Sequence, residues 1–241
     1  MLIPAVVGTM VFVASPPARS NPAAAERSRH HEPLYSSTNE IATADGTISN
    51  ISISQGKDGG YLVVFQVTPF GELEQSWELD VRRNGPDRQT TTLRIDGSLA
   101  YRMMIGIGRE GTRTHIRLTT PRVSSSFSDT DNASTLDPTT VAALKDTKYY
   151  RQIIYAVLGD VWRSIETPII IAATCASLCA DEHPMAADCT GWWDAYQCCL
   201  AEADKDTCRR ACECGDSNWC LAWEFIISAA DHEACAVALF L

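Results

Sequence analysis

Residues 61–82 read YLVVFQVTPFGELEQSWELDVR. Two runs with a period of two, residues 61–68 and 73–82, flank the turn cluster Pro69-Phe70-Gly71. In the second run Trp77, Leu79 and Val81 alternate with Glu78, Asp80 and Arg82. Successive side chains of a strand point to opposite faces, so this run has one apolar and one charged face. Two such runs around a short turn predict an antiparallel hairpin.

The same pattern extends in both directions, from residue 46 to residue 120. Strands are expected at residues 47–54, 61–68, 73–82, 90–96, 100–107 and 112–119. Turn residues punctuate them: Gln55-Gly56-Lys57-Asp58-Gly59-Gly60, Asn84-Gly85-Pro86-Asp87, Asp96-Gly97-Ser98, and Gly108 to Gly111. Six short strands joined by tight turns predict a small antiparallel β sandwich or barrel over residues 46–120. The region offers little chemistry. His115 is a lone histidine between Thr114 and Ile116, and spacing shows no partner that would make it a general base. Gly106-Ile107-Gly108 precedes no helix and reads as a turn, not a phosphate loop. Arg82, Arg83, Arg88, Arg94 and Arg102 form a string that interleaved acids bring near neutral, so a solvated outer face is expected. Asn50-Ile51-Ser52 and Asn132-Ala133-Ser134 fit the glycosylation sequon, which matters only in a eukaryotic secretory route.

Upstream, the sequence opens MLIPAVVGTMVFVASPPARS. An apolar run followed by small residues and prolines reads as a signal peptide over residues 1–25, although no basic residue precedes the run. Residues 26–45 read as a disordered leader. Downstream, residues 121–137 (PRVSSSFSDTDNASTLD) have the composition of a protease-accessible linker. A connecting helix over residues 138–167 then begins with Asp137 as cap and Pro138 in its first turn. Leu144, Ile153, Val157 and Val161 keep its helical spacing, and Glu166-Thr167-Pro168 ends it.

The chain has 241 residues, 45% of them apolar and 21% charged, with a net charge of −10. That composition suits a folded chain and disfavours a nucleic-acid partner, which would need a basic footprint. The charge is uneven: residues 168–241 carry three basic and twelve acidic side chains. The same segment holds all ten cysteines: Cys175, Cys179, Cys189, Cys198, Cys199, Cys208, Cys212, Cys214, Cys220 and Cys235. Such density marks a disulfide scaffold and an oxidising, extracellular compartment. All ten are expected in disulfides. Cys175/Cys179 and Cys208/Cys212 share the C-x-x-x-C spacing, which puts each pair on one helix face. Antiparallel packing of two such helices predicts Cys175–Cys212 and Cys179–Cys208, and leaves the other six cysteines open. Helical segments are expected at residues 169–180, 190–203, 206–213, 218–229 and 231–240, making residues 168–241 an all-α module.

Metal and catalytic readings of this module are weak. Cys212-x-Cys214 with His183 or His232 lacks the paired C-x-x-C spacing of a structural zinc site. Cys198-Cys199 resembles the doublet of secreted phospholipases, but Leu200-Ala201-Glu202-Ala203-Asp204 follows where that family places its His-Asp pair. Asp231-His232-Glu233 occupies adjacent helical positions that point in different directions, and reads as the acidic N-terminus of a helix. No enzyme activity, metal or cofactor is expected.

The order of signal, cysteine-free domain, linker and ten-cysteine C-terminal unit resembles a halocin-type bacteriocin precursor. The resemblance implies that the C-terminal disulfide peptide is released as the toxic part. The N-terminal domain would then serve as a pro or immunity segment. Expected partners are a processing protease and a target-cell envelope or protein receptor, and no nucleic acid. The alternative is a non-enzymatic secreted or surface binding protein whose two modules stay joined.

Overall fold

The computed structural model describes residues 31–56, 59–84, 88–106, 115–128, 136–163, 169–182 and 192–238. Nine strands come first: β1 (His31–Ser37), β2 (Ile41–Ala42), β3 (Gly46–Gly56), β4 (Tyr61–Pro69), β5 (Gln75–Arg83), β6 (Arg88–Ile95), β7 (Ser98–Gly106), β8 (His115–Thr119) and β9 (Ser124–Ser128). The helices α1 (Pro138–Arg163), α2 (Ile169–Glu182), α3 (Trp192–Cys214) and α4 (Asn218–Ala238) follow. The class is α+β, with an antiparallel sheet in the N-terminal half and disulfide-linked helices at the C-terminal end.

The strands form one sheet in the order β1-β3-β4-β5-β6-β7-β8-β9, with β2 also paired to β3. Pairing places Val63 opposite Leu79, Leu79 opposite Leu93, and Leu93 opposite Tyr101. Farther along, Met103 faces Leu118 and Ile116 faces Phe127. All of these side chains are buried, so the period-two pattern becomes a single apolar face. The Asp96-Gly97 turn between β6 and β7 has two left-handed residues, at φ 51° and 77°. That is the type I′ geometry whose twist suits a tight hairpin. At Gly46 a Cβ would sit 2.3 Å from the Thr68 carbonyl oxygen, so only glycine allows β3 and β4 to close there.

The expected antiparallel β domain is one sheet of nine strands, in which β1 and β9 are the two ends of the strand order. Helices cover its apolar face. One hydrophobic core joins Phe65, Trp77, Leu79, Tyr101 and Met103 to Leu144, Ile154 and Leu158 of α1 and to Trp223, Ile226 and Ala236 of α4. Helices take the place of a second sheet. An aromatic chain crosses this boundary. Phe65 lies 5.7 Å from Trp77, Trp77 lies 5.7 Å from Tyr150 of α1, and Tyr150 stacks on Tyr101 at 5.9 Å.

Several boundaries also differ from expectation. Within the expected leader, residues 26–45, β1 and β2 pair with β3. Within the expected linker, residues 121–137, β9 pairs with β8 and buries Phe127. Both segments are polar because they lie at sheet ends, where few side chains face the core. The connecting helix is described over Pro138–Arg163, and it packs into the core rather than bridging two modules. Its Asp137 cap is as expected: Oδ1 accepts from the backbone N–H groups of Thr139 and Thr140, both at 3.0 Å. Hydrogen bonds from Thr139 and Thr140 hold this carboxyl down at about 2. Five expected helical segments merge into three. No proline or glycine separates Ala203 from Asp206 or Ala229 from Asp231, so the polar residues there lie inside continuous helices. The expected signal peptide lies outside the described residues.

Trp223 is 1% exposed, stacks on Trp162 at 4.4 Å and donates from Nε1 to the Leu158 carbonyl at 2.7 Å. Replacing Trp223 by alanine is expected to cost about 3–5 kcal/mol in denaturant unfolding with the disulfides intact. The same substitution at exposed Leu73 is expected to stay within about 0.5 kcal/mol. Equal losses at the two positions would contradict the packing described.

Candidate functional site

The C-terminal helices are cross-linked in the order in which they pack. Cys175–Cys212 and Cys179–Cys208 join α2 to α3, outer residue to outer and inner to inner. Cys199–Cys235 joins α3 to α4, and Cys214–Cys220 closes the turn between them. In that turn Gly215 is left-handed at φ 54° and its N–H returns to the Cys212 carbonyl at 3.1 Å, a helix stop that suits glycine. Cys198 is also disulfide-bonded, and Cys189 lies outside the described residues.

Helix α4 is the central element. It contacts α1, α3 and strands β1, β3 and β7. A helix covered on several sides reads as apolar all round, and α4 does so except at a few charged positions. Those positions make the bonds that fix it. Gln89 of β6 donates from Nε2 to the Ala229 carbonyl at 3.0 Å. Tyr101 of β7 donates to Glu233 Oε2 at 3.3 Å. Asp231 accepts from the Tyr155 hydroxyl of α1 and from Arg210 of α3, each at 2.9 Å. His232 meets Asp204 of α3 at 3.1 Å. Phe225 packs on Tyr61 at 5.2 Å and lies under the Arg83 guanidinium at 5.4 Å.

This geometry decides the Asp231-His232-Glu233 trio. The residues lie in mid-helix, not at the helix N-terminus that the sequence suggests. Each reaches a different neighbour: Asp231 turns to α1 and α3, His232 to α3, and Glu233 to the sheet. The three share no hydrogen-bond partner, and together they anchor α4 to α1, α3 and the sheet. Among the described residues no group of three His, Cys, Asp or Glu side chains is placed to hold a metal ion. No helix among them is long and apolar enough to cross a membrane.

Glu233 is the least expected member of the interface. It is 1% exposed, and its Oε1 has no hydrogen-bond partner. Burial pushes its carboxyl up to about 7, against a pull down from Thr91, Arg151 and the Tyr101 hydrogen bond. Burial and the neighbouring Glu233 push the Tyr101 hydroxyl well above its ordinary value. Glu224, on the same helix, also rises to about 7 by burial, with Arg210 and Arg83 acting against it. A signal for Glu233 was present in the sequence: it shares the helical spacing of buried Ile226, Ala229 and Ala236. Gln89 and Tyr101 carried no such signal, because the sheet residue that meets a helix 140 positions away is set by topology.

No protein-family model, curated protein or solved structure matches this chain.

The raised carboxyl at Glu233 links stability to pH in a definite direction. A carboxyl held above its ordinary value favours the protonated fold, so its contribution is complete below 4.5 and is lost as pH rises through about 7. Over that window the loss for this group is roughly 3 kcal/mol. Urea midpoints measured across it should fall for the native chain. They should fall less for Glu233→Gln, with Glu224 supplying part of the slope that remains. An unchanged slope in Glu233→Gln would refute the role given to this group.

Proposed function

We propose that the chain is a secreted precursor. The sheet and α1 hold the disulfide-linked unit α2–α4 with part of α4 covered. A processing protease frees that unit, which acts without catalysis on a target-cell envelope or a protein receptor as a bacteriocin-like agent. The observation that carries this reading is the burial of α4. Ile226, Ala229, Glu233 and Ala236 are each at most 1% exposed, and the sheet contributes to that cover through Gln89 and Tyr101. In this reading the free peptide acts through the face of α4 that the sheet covers, which makes the sheet the pro or immunity segment.

The disulfides support the same reading. The bridges connect α2, α3 and α4 and none reaches the sheet, since every cysteine lies after residue 174. A cut near Glu166-Thr167-Pro168 would leave the three helices cross-linked. Such bridges suit an oxidising compartment. The unit carries twelve acidic and three basic side chains. Anionic lipid repels that charge, so a protein receptor fits it better than a bilayer does.

A second reading keeps the chain whole as a secreted binding protein. It is favoured by the unbroken core from β4 to α4, which cleavage and release would open. Mass spectrometry of the medium, before and after reduction, separates the two. A fragment beginning near residue 168, gaining mass only from its reduced bridges, is expected. It should inhibit target-cell growth, and the intact chain should not. An intact secreted chain would sink the precursor reading in favour of the second, and a fragment without inhibitory activity would remove the toxic role.

A further inference from the structure

Strands β6, β7, β8 and β9 contain no aspartate or glutamate, yet carry Arg88, Arg94, Arg102, His115 and Arg117. On a chain of net charge −10 this half of the sheet reverses the local sign. Register gathers part of it. Arg88 lies opposite Gly106, and Gly106 opposite His115. One row further in, Met104 lies opposite Arg117 and Arg117 opposite Ser126. Arg88, His115 and Arg117 are exposed while their chain neighbours Gln89 and Ile116 are buried, so these rows occupy the face turned away from the core.

The rows border a cavity of about 470 Å³ that Gln89, Ile105, Ile116 and Phe127 of the core-facing row also line, and among the described residues no helical residue lines it. Its size falls in the range of small-molecule sites. Gly106 forms part of its floor. The backbone does not require glycine there: its φ is not positive, and an added Cβ would come no nearer than 3.7 Å to the His115 carbonyl oxygen. The missing side chain therefore opens space beside the Arg88, His115 and Arg117 side chains. No acidic residue is among the described residues that line the cavity. Arg82, by contrast, is paired with Asp80 at 2.7 Å.

We propose that this cavity binds a phosphate group, presented by a soluble phosphoester or by a lipid head group. Arg88 and Arg117 offer planar guanidinium forks that match phosphoryl oxygens in a bidentate manner. His115 and Ser126 add donors at the rim, and Met104, 39% exposed, offers an apolar wall for the rest of the ligand. The site is lined by residues of β6 to β9 and draws none of its phosphate donors from the helical unit.

Titration calorimetry of the intact, oxidised chain tests it with three probes: inorganic phosphate, glycerol 3-phosphate, and phosphatidylcholine vesicles with and without phosphatidic acid. Saturable binding of inorganic phosphate is expected. Arg88→Ala and Arg117→Ala should each weaken it about tenfold or more, the effect of losing a charge-assisted pair. Gly106→Leu should abolish it by filling the floor, and Arg82→Ala should leave it unchanged. Because Arg88 and Arg117 are exposed, their variants keep the test decisive if Gly106→Leu does not fold. Tighter binding of glycerol 3-phosphate than of vesicles assigns a soluble ligand, and the reverse assigns a lipid head group. No saturable binding of any probe, or equal affinity in the native chain and the arginine variants, would overturn the proposal.

Discussion

The sheet has an apolar face that needs cover, and the helices that cover it belong largely to the cysteine-rich end of the chain. Helix α4 is where the two requirements meet. It is tied by a disulfide to α3, stacked through Trp223 on Trp162 of α1, and bonded through Ala229 and Glu233 to β6 and β7. The rest of the architecture follows from that placement. Helices cover the sheet's apolar face in place of a second sheet. Helix α2 is bridged twice to α3 through buried Cys175 and Cys179, and its Leu178 is exposed. Asp231, His232 and Glu233 of α4 serve as polar anchors to α1, α3 and the sheet.

Local chemistry was legible in the sequence, and long-range geometry was not. Period-two alternation placed β3 through β8, since a strand with one buried face must alternate. Asp137 was legible as a cap because its side chain bonds only to residues two and three positions away. The Cys175–Cys212 and Cys179–Cys208 bridges were legible because equal C-x-x-x-C spacing allows two helices to be joined in one antiparallel way. Strands β1 and β9 were hidden by polar composition, which is how sheet ends avoid aggregation. Residues 204–206 and 230–231 look like helix boundaries in isolation, but packing carries α3 and α4 through them. The partnership of Gln89 and Tyr101 with α4 depends on chain topology, which no local pattern encodes.

Charge divides the molecule along similar lines. Acidic side chains concentrate in the helical unit, while β6 through β9 present arginine without any acid. The apolar face of the sheet meets this chain's own helices, while the ends of β6 to β9 gather Arg88, His115 and Arg117 around one cavity. The buried Glu233 makes the inner association sensitive to proton concentration, because burial of its charged form outweighs the hydrogen bonds of Thr91 and Tyr101 and the charge of Arg151.

The central claim is that the sheet and α4 share one cooperative core. Native-state hydrogen exchange of the intact, oxidised chain tests it directly through Met103→Ala, a substitution in β7, a strand that carries no cysteine. Amides that open together belong to one folding unit. A shared core predicts that Met103→Ala lowers the protection of residues 218–238 together with that of β6 and β7. Protection lost in the strands alone, with residues 218–238 unaffected, would show two independent units and contradict the account.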